Sequence, residues 1–265
     1  MNNPVESTSV AELLEQKSSQ RKKRLSLHNM LFILPNAFTL ASIFCGLYAI
    51  LRSVTENDQE ALYQAAIAIF FAGFFDMFDG RVARLTKTQS DFGVELDSLA
   101  DVISFGVAPA IMMYKWALWP LGFVGFLGAF FYLACGAIRL ARFNVLAFRL
   151  QKPSSFFVGL PIPLAASMLI MLVIAHFKLF GGLPVQRHML VFSLVMFLGG
   201  LMVSNVPYWS FKDLRFSPKV VAIAFAGAIL IWLIGLRYPV SICLVALLGI
   251  YIVAGLGRAF FLKFR

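Results

Sequence analysis

Charge is scarce in this chain. Aspartate, glutamate, lysine and arginine make up 14% of its 265 residues, where an ordinary soluble domain carries about 25%. Hydrophobic residues make up 60%, and the mean hydropathy is +0.82. So little charge excludes a soluble globule of this size. It leaves an all-α fold, a polytopic bundle of transmembrane helices. The net charge of +10 then does not point to nucleic acid, because basic excess in a membrane protein collects at cytoplasmic ends and on anionic lipid. Cysteine and histidine are scarce too, with three of each. Cys45, Cys135 and Cys243 lie in separate apolar runs, which argues for small buried side chains rather than disulfides or thiolate ligands. His28, His176 and His188 share no metal-ligand spacing and read as interfacial residues. The N-terminal stretch lacks the short apolar core and small-residue cleavage site of a signal peptide. No soluble domain and no internal repeat stands out.

What the chain has in abundance is apolar runs of about 20 residues, the length that spans a bilayer as a helix. Eight are expected, near 30–51, 61–83, 95–114, 118–146, 159–178, 188–206, 219–236 and 239–261. With both termini on the cytoplasmic side, 18 of the 23 basic residues fall on that side and five, Arg52, Lys115, Lys178, Arg187 and Arg237, on the other. That asymmetry predicts an N-in, C-in topology. Residues 1–27 form a polar tail ending in the basic run Arg21–Arg24. It reads as an anchor on anionic lipid or as a plain solvated tail. Residues 28–215 hold the polar sites, and 216–265 hold a final pair of spans with almost no polar residues, read as scaffold.

The few acidic residues are not scattered. Six of the thirteen, Asp76, Asp79, Asp91, Glu95, Asp97 and Asp101, fall within one stretch flanked by apolar sequence. Carboxylates in such a place are expensive and functional by default. Asp76 and Asp79 are three apart, Asp97 and Asp101 four apart, so on helices each pair shares a face. Two such pairs facing one space repel each other unless a divalent cation relieves them. Oxygen ligands select Mg²⁺, Mn²⁺ or Ca²⁺ rather than zinc or copper. Gly80, Ala83 and Gly93 leave the helix surface bare beside them, and Arg81, Arg84 and Lys87 add positive charge. Metal, cations and a bare wall suit a pyrophosphate.

Asp76-x-x-Asp79-Gly80-x-x-Ala83-Arg84, eight residues, then Gly93-x-x-x-Asp97-x-x-x-Asp101 resembles the signature of the CDP-alcohol phosphatidyltransferases, matching at all eight positions. The likeness extends over 35–215. It implies a multi-span helical bundle, a homodimer, in a bacterial inner membrane with its active site facing the cytoplasm. Two ions, Mg²⁺ or Mn²⁺, would be held by Asp76, Asp79, Asp97 and Asp101, with Asp101 also the general base. Gly80, Ala83, Arg84 and Gly93 would meet CDP-diacylglycerol. The first span opens L-P-N-A-F-T, and the family often carries a Pro-Asn-x-x-Thr element there, beside the nucleotide site. Asn36 and Thr39 are therefore either substrate contacts or local helix-bonding residues.

Three further stretches are similar to the serine-using branch of that family. Around the last aspartate the chain reads A-D-V-I-S-F-G-V-A-P-A, with Val102 where the phosphatidylglycerolphosphate synthase branch typically has lysine. Within it, Pro109 is expected to kink the helix or end a first segment. The fourth span ends R-L-A-R-F-N, and G-L-P-I-P opens the fifth. Arg139, Arg142 and Asn144 become candidate L-serine-binding residues, since a guanidinium fork suits a carboxylate. The same two arginines also suit lipid phosphate. Tyr208 and Trp209 suit an interfacial belt. The implied reaction joins CDP-diacylglycerol and L-serine into phosphatidylserine and CMP. Glycerol phosphate, inositol or choline as acceptor stays open, as does a transporter with intramembrane carboxylates, which would not need this signature.

Overall fold

The computed structural model describes residues 35–55, 58–86, 90–150, 156–209 and 239–263. These form seven helices: α1 (Pro35–Thr55), α2 (Gln59–Thr86), α3 (Asp91–Leu121), α4 (Phe123–Leu150), α5 (Ile162–Phe180), α6 (His188–Val203) and α7 (Val240–Lys263). All but α6 are long and apolar enough to cross a bilayer. The sixteen residues of α6 reach only about 24 Å, short of a hydrocarbon core of roughly 30 Å. Seven of the eight expected apolar runs coincide with these helices, and the run at 219–236 lies outside the described residues, as does the 1–27 tail. The protein is an all-α, multi-pass membrane protein.

Local chemistry sets the helix ends. Asp58 accepts the N–H of Ala61 at the start of α2, and the Ser90 hydroxyl accepts the N–H of Gly93 at 3.0 Å at the start of α3. Both are N-caps. Pro161 and Pro163 open α5, and Gly181, at φ +60°, closes it with its N–H on the Phe177 carbonyl.

The core is alanine-rich where helices meet. Ala65, Ala66 and Ala72 of α2 and Ala165 and Ala166 of α5 have no exposed surface, so the backbones approach closely. α1 and α3 approach closely at Gly46, where a Cβ would fall 2.8 Å from Ser104 Oγ. Ser104 is buried there and donates to the Ser42 carbonyl at 3.0 Å, while the Ser42 hydroxyl donates to Ser104 Oγ at 3.2 Å.

Pro109 does not end α3. The helix widens to π geometry over Val102–Val107, and the Ala108 N–H reaches back five residues to the Ile103 carbonyl. The widened turn accommodates the proline, which has no N–H and would crowd the Phe105 carbonyl in a regular α-helix. The buried Tyr132 hydroxyl of α4 donates to that carbonyl at 3.1 Å. A second π segment, Tyr114–Leu118, comes after it.

Two short strands, β1 (Phe156–Val158) and β2 (Pro207–Trp209), were not expected. They pair antiparallel, with Phe157 opposite Tyr208. Gly159 comes next at φ +80°, where a Cβ would fall 2.3 Å from the Met202 carbonyl, so only glycine fits. The pairing corrects the reading of Tyr208 as an interfacial residue. Its ring is fully buried under α7, stacked on Tyr251 at 5.6 Å, in a space left by the missing Cβ of Gly255. Burial first, and then Tyr251, push its hydroxyl up to about 12.

Candidate active site

The carboxylates lie where the end of α2 meets the first half of α3. Oxygens of Asp76, Asp97 and Asp101 come within 4.8 Å of one another. One oxygen each of Asp97 and Asp101 is buried with no hydrogen-bond partner. Three carboxylates this close, with orphaned oxygens, fit a hard divalent cation.

Asp79 stands slightly apart, 5% exposed, and accepts a hydrogen bond from Thr39 Oγ1 at 2.9 Å. The same hydroxyl lies 3.2 Å from the Pro35 carbonyl. Thr39 therefore has both a helix-bonding partner and one in the site. With a single proton it serves one of them at a time.

Asn36, Thr39, Gly80, Ala83, Arg84 and Gly93 line one cleft of about 180 Å³, together with Asp79 and Asp97. The ends of α1, α2 and α3 thus bring all six expected donor-site residues together. A Cβ on Gly93 would meet Ser90 Oγ at 3.2 Å and Asn36 Oδ1 at 3.5 Å, so the bare wall keeps the cleft open. Ser90 was missed in the sequence. Its position just before an acidic first turn is the signal that would have found it.

The three residues assigned to serine go to different partners. Arg139 is 8% exposed, lies over the Phe143 ring at 5.5 Å, and is near enough to Asp101 for their charges to attract. Its Nε is buried without a partner. Arg142 is exposed and donates to Asn205 Oδ1 at 2.8 Å and the Val203 carbonyl at 3.5 Å, in the segment leaving α6. Asn144 donates to Ser98 Oγ at 2.8 Å. The Tyr132–Phe105 and Asn144–Ser98 hydrogen bonds, with Arg139 between them near Asp101, run antiparallel, and by them α4 braces the carboxylate half of α3.

The cysteines and histidines stay outside this site. Cys45, Cys135 and Cys243 are free thiols, buried or partly buried. His176 packs on Trp116 and Phe180, and His188 Nδ1 sits 2.8 Å from the Ala117 carbonyl, both at the opposite end of the bundle. His28 lies outside the described residues.

The chain belongs to the CDP-alcohol phosphatidyltransferase family, whose model matches residues 32–199. Within it, the chain is similar to curated proteins named CDP-diacylglycerol–serine O-phosphatidyltransferase. The protein of that name from Helicobacter pylori is 36% identical over 237 residues, 89% of this chain and 95% of the relative. The one from Methanocaldococcus jannaschii is 34% identical over 215 residues, 80% and 90% of the two chains. That from Bacillus subtilis is 40% identical over 139 residues, 52% and 74%.

Proposed function

We propose that this enzyme transfers the phosphatidyl group of CDP-diacylglycerol to the hydroxyl of L-serine, releasing CMP. The observation that supports the reading most directly is a cleft lined by all six expected donor-site residues beside a cluster of aspartates at one end of a membrane bundle. The names of the relatives support the same donor and acceptor. Asn36, Thr39, Gly80, Ala83, Arg84 and Gly93 bind the CDP moiety. Asp76, Asp79, Asp97 and Asp101 hold two divalent ions, Mg²⁺ or Mn²⁺. When bound, these ions neutralise charge on the pyrophosphate and on the leaving phosphate.

This chain's residues do the rest. Asp101 takes the proton of the serine hydroxyl as the new O–P bond forms and the pyrophosphate P–O bond breaks, CMP leaving with the electron pair. A carboxylate is a weak base for an alcohol, so alignment of the two substrates supplies much of the effect. Thr39 orients Asp79. Arg139 binds the serine carboxylate. Of the two candidate arginines it is the one beside the aspartates, with an unpaired buried Nε. We place the site on the cytoplasmic side of a bacterial inner membrane, in an N-in, C-in homodimer whose catalytic region is 28–215. The basic-residue asymmetry and the family likeness support this placement.

The test is CMP release by purified protein from CDP-diacylglycerol with Mn²⁺ or Mg²⁺, with and without acceptor. Release that depends on L-serine, and not on glycerol 3-phosphate, inositol or choline, is the expected result. Equal or better use of another alcohol would reassign the acceptor.

A further inference from the structure

One narrow face of α1 meets the bundle. Its buried positions are Pro35, Thr39, Ser42, Gly46, Ala49 and Ser53, at intervals of three and four. Two of the hydroxyls on this face reach other helices. Thr39 bonds to Asp79 of α2. Ser42, one turn further along, shares two hydrogen bonds with Ser104 of α3. The Ser104 hydroxyl donates to the Ser42 carbonyl at 3.0 Å, and the Ser42 hydroxyl donates to Ser104 Oγ at 3.2 Å. Both serines are buried, and both protons are used. Ser104 stands three residues after Asp101, inside the widened turn. Gly46 lets the two backbones close on this pair, since a Cβ there would fall 3.0 Å from Ser104 Cα. Ser53 is as deeply buried, but its hydroxyl donates to the Ala49 carbonyl of its own helix at 2.8 Å.

We propose that Ser42 and Ser104 are positioning residues for the transfer: through them α1 holds Asp79 in register with Asp101. The proposal rests on the phosphatidyl-transfer reading of this site and deepens it. Thr39 and Ser42 stand one turn apart on α1, and Asp101 and Ser104 one turn apart on α3. The Thr39 bond aims the Asp79 carboxylate. The serine pair sets how far along α3 the helix that carries Thr39 comes to rest. An interhelical hydrogen bond within a membrane adds little to stability, so holding the fold together is a weak reason to tie two hydroxyls here. Placement of reacting groups is far more sensitive, a shift of about 1 Å costing up to about 10²-fold in rate. Ser53 shows how the same helix buries a serine without tying it to a neighbour.

The experiment measures kcat, both KM values, Tm, and the Mn²⁺ Kd by calorimetry. It compares the wild type with Ser104→Ala, Ser42→Ala and the double variant, and takes Ser53→Ala as the control. Ser104→Ala removes both bonds. It should lower kcat about tenfold and raise the Mn²⁺ Kd by a similar factor, with the KM values for donor and serine within about twofold of wild type. Ser42→Ala keeps the bond from Ser104 to its carbonyl and should lose only about threefold in kcat. The double variant should be no worse than Ser104→Ala, because one contact can be lost only once. Ser53→Ala should match the wild type in kcat and Mn²⁺ Kd whatever its Tm. A merely structural pair would lower Tm and leave kcat and Mn²⁺ Kd of the folded variants equal to those of Ser53→Ala. That result, or a double variant showing the product of the single losses, would overturn the assignment. Ser42→Ala carries the test if Ser104→Ala does not fold. A wild type that releases no CMP would overturn the reaction, while the Mn²⁺ affinities would still decide whether the serines align the aspartates.

Discussion

The two ends of the bundle handle charge in opposite ways. At the end away from the aspartates, cations rest on aromatic rings: Lys115 lies 5.6 Å from the Trp119 ring and Lys178 5.3 Å from the Tyr63 ring. These are local pairings, and they anchor the protein at an interface. At the other end, Asp97 and Asp101 each keep a buried oxygen with no partner, and Arg139 keeps a buried Nε with none. Buried polar groups are normally satisfied. Such atoms occur elsewhere among the described residues, as at His176 Nδ1 and Ser241 Oγ, but at the aspartate end they belong to three charged groups beside one cleft, which fits ligands that arrive later. The first end is expected to tolerate the loss of a charge, and the second is not.

The largest effect should come from removing a carboxylate. Asp76→Asn or Asp97→Asn should lower kcat by more than about 10³-fold, and EDTA should do the same to the wild type. Mn²⁺ should raise the Tm of the wild type and not that of Asp97→Asn, because an ion that binds only the folded state stabilises it. Full activity in EDTA, or equal stabilisation of both proteins, would erase the contrast between the two ends. Next, Asp101→Asn should cost about 10²-fold in kcat, the scale of a lost general base, while CDP-diacylglycerol binding measured by calorimetry persists. An unchanged kcat would remove Asp101 from both roles, as base and as metal ligand.

The arginines sharpen the comparison within the site itself. Arg139→Lys keeps the charge but loses the fork, and should raise the serine KM by about tenfold. Arg142→Lys should shift it by less than about twofold, since its partners are Asn205 and Val203 and exposed contacts contribute little. The reverse order would move the serine pocket to the α6 exit. The smallest effect belongs to the far end. Lys178→Ala should leave kcat and both KM values unchanged and lower stability by no more than about 1 kcal/mol. A clear loss of activity would mean the two ends are coupled.

The sequence revealed the site where it depended on short-range spacing. Asp76 and Asp79, and Asp97 and Asp101, are turn neighbours, so their clustering needed only two helices facing each other. The six cleft residues were readable through the family signature and the element in the first span. What stayed hidden depends on which helix lies alongside which. Arg139 and Arg142 are one turn apart and look equivalent. One lies near Asp101 and the other bonds to Asn205 because α4 packs between α3 and the α6 exit. The Tyr132 bond to the Phe105 carbonyl joins residues 27 apart and has no local signal. Pro109 was read as a kink or a segment end, and the helix runs through it because of a widened turn that leaves no mark in composition. Tyr208 was read as interfacial because the strand pairing that turns it inward joins segments about fifty residues apart.

The widened turn in α3 amounts to a counting rule. A π segment holds one residue more than the α turn it replaces, so it takes up that residue while the stretches of helix on its two sides keep nearly the same angular phase. In α3 the segment Val102–Val107 begins directly after Asp101. The stretch beyond it is fixed to the bundle by the buried side chains of Met112, Met113 and Trp116. Deleting a single residue from Val102–Val107 would let the helix close to regular α geometry. Everything upstream would then keep nearly the same azimuth, with Asp97 and Asp101 still facing Asp76, whereas a residue deleted from a regular α turn shifts the phase by about 100°. The widened turn therefore acts as slack in the helix: a one-residue deletion within it should spare the placement of the carboxylates and remove instead the room that Pro109 needs.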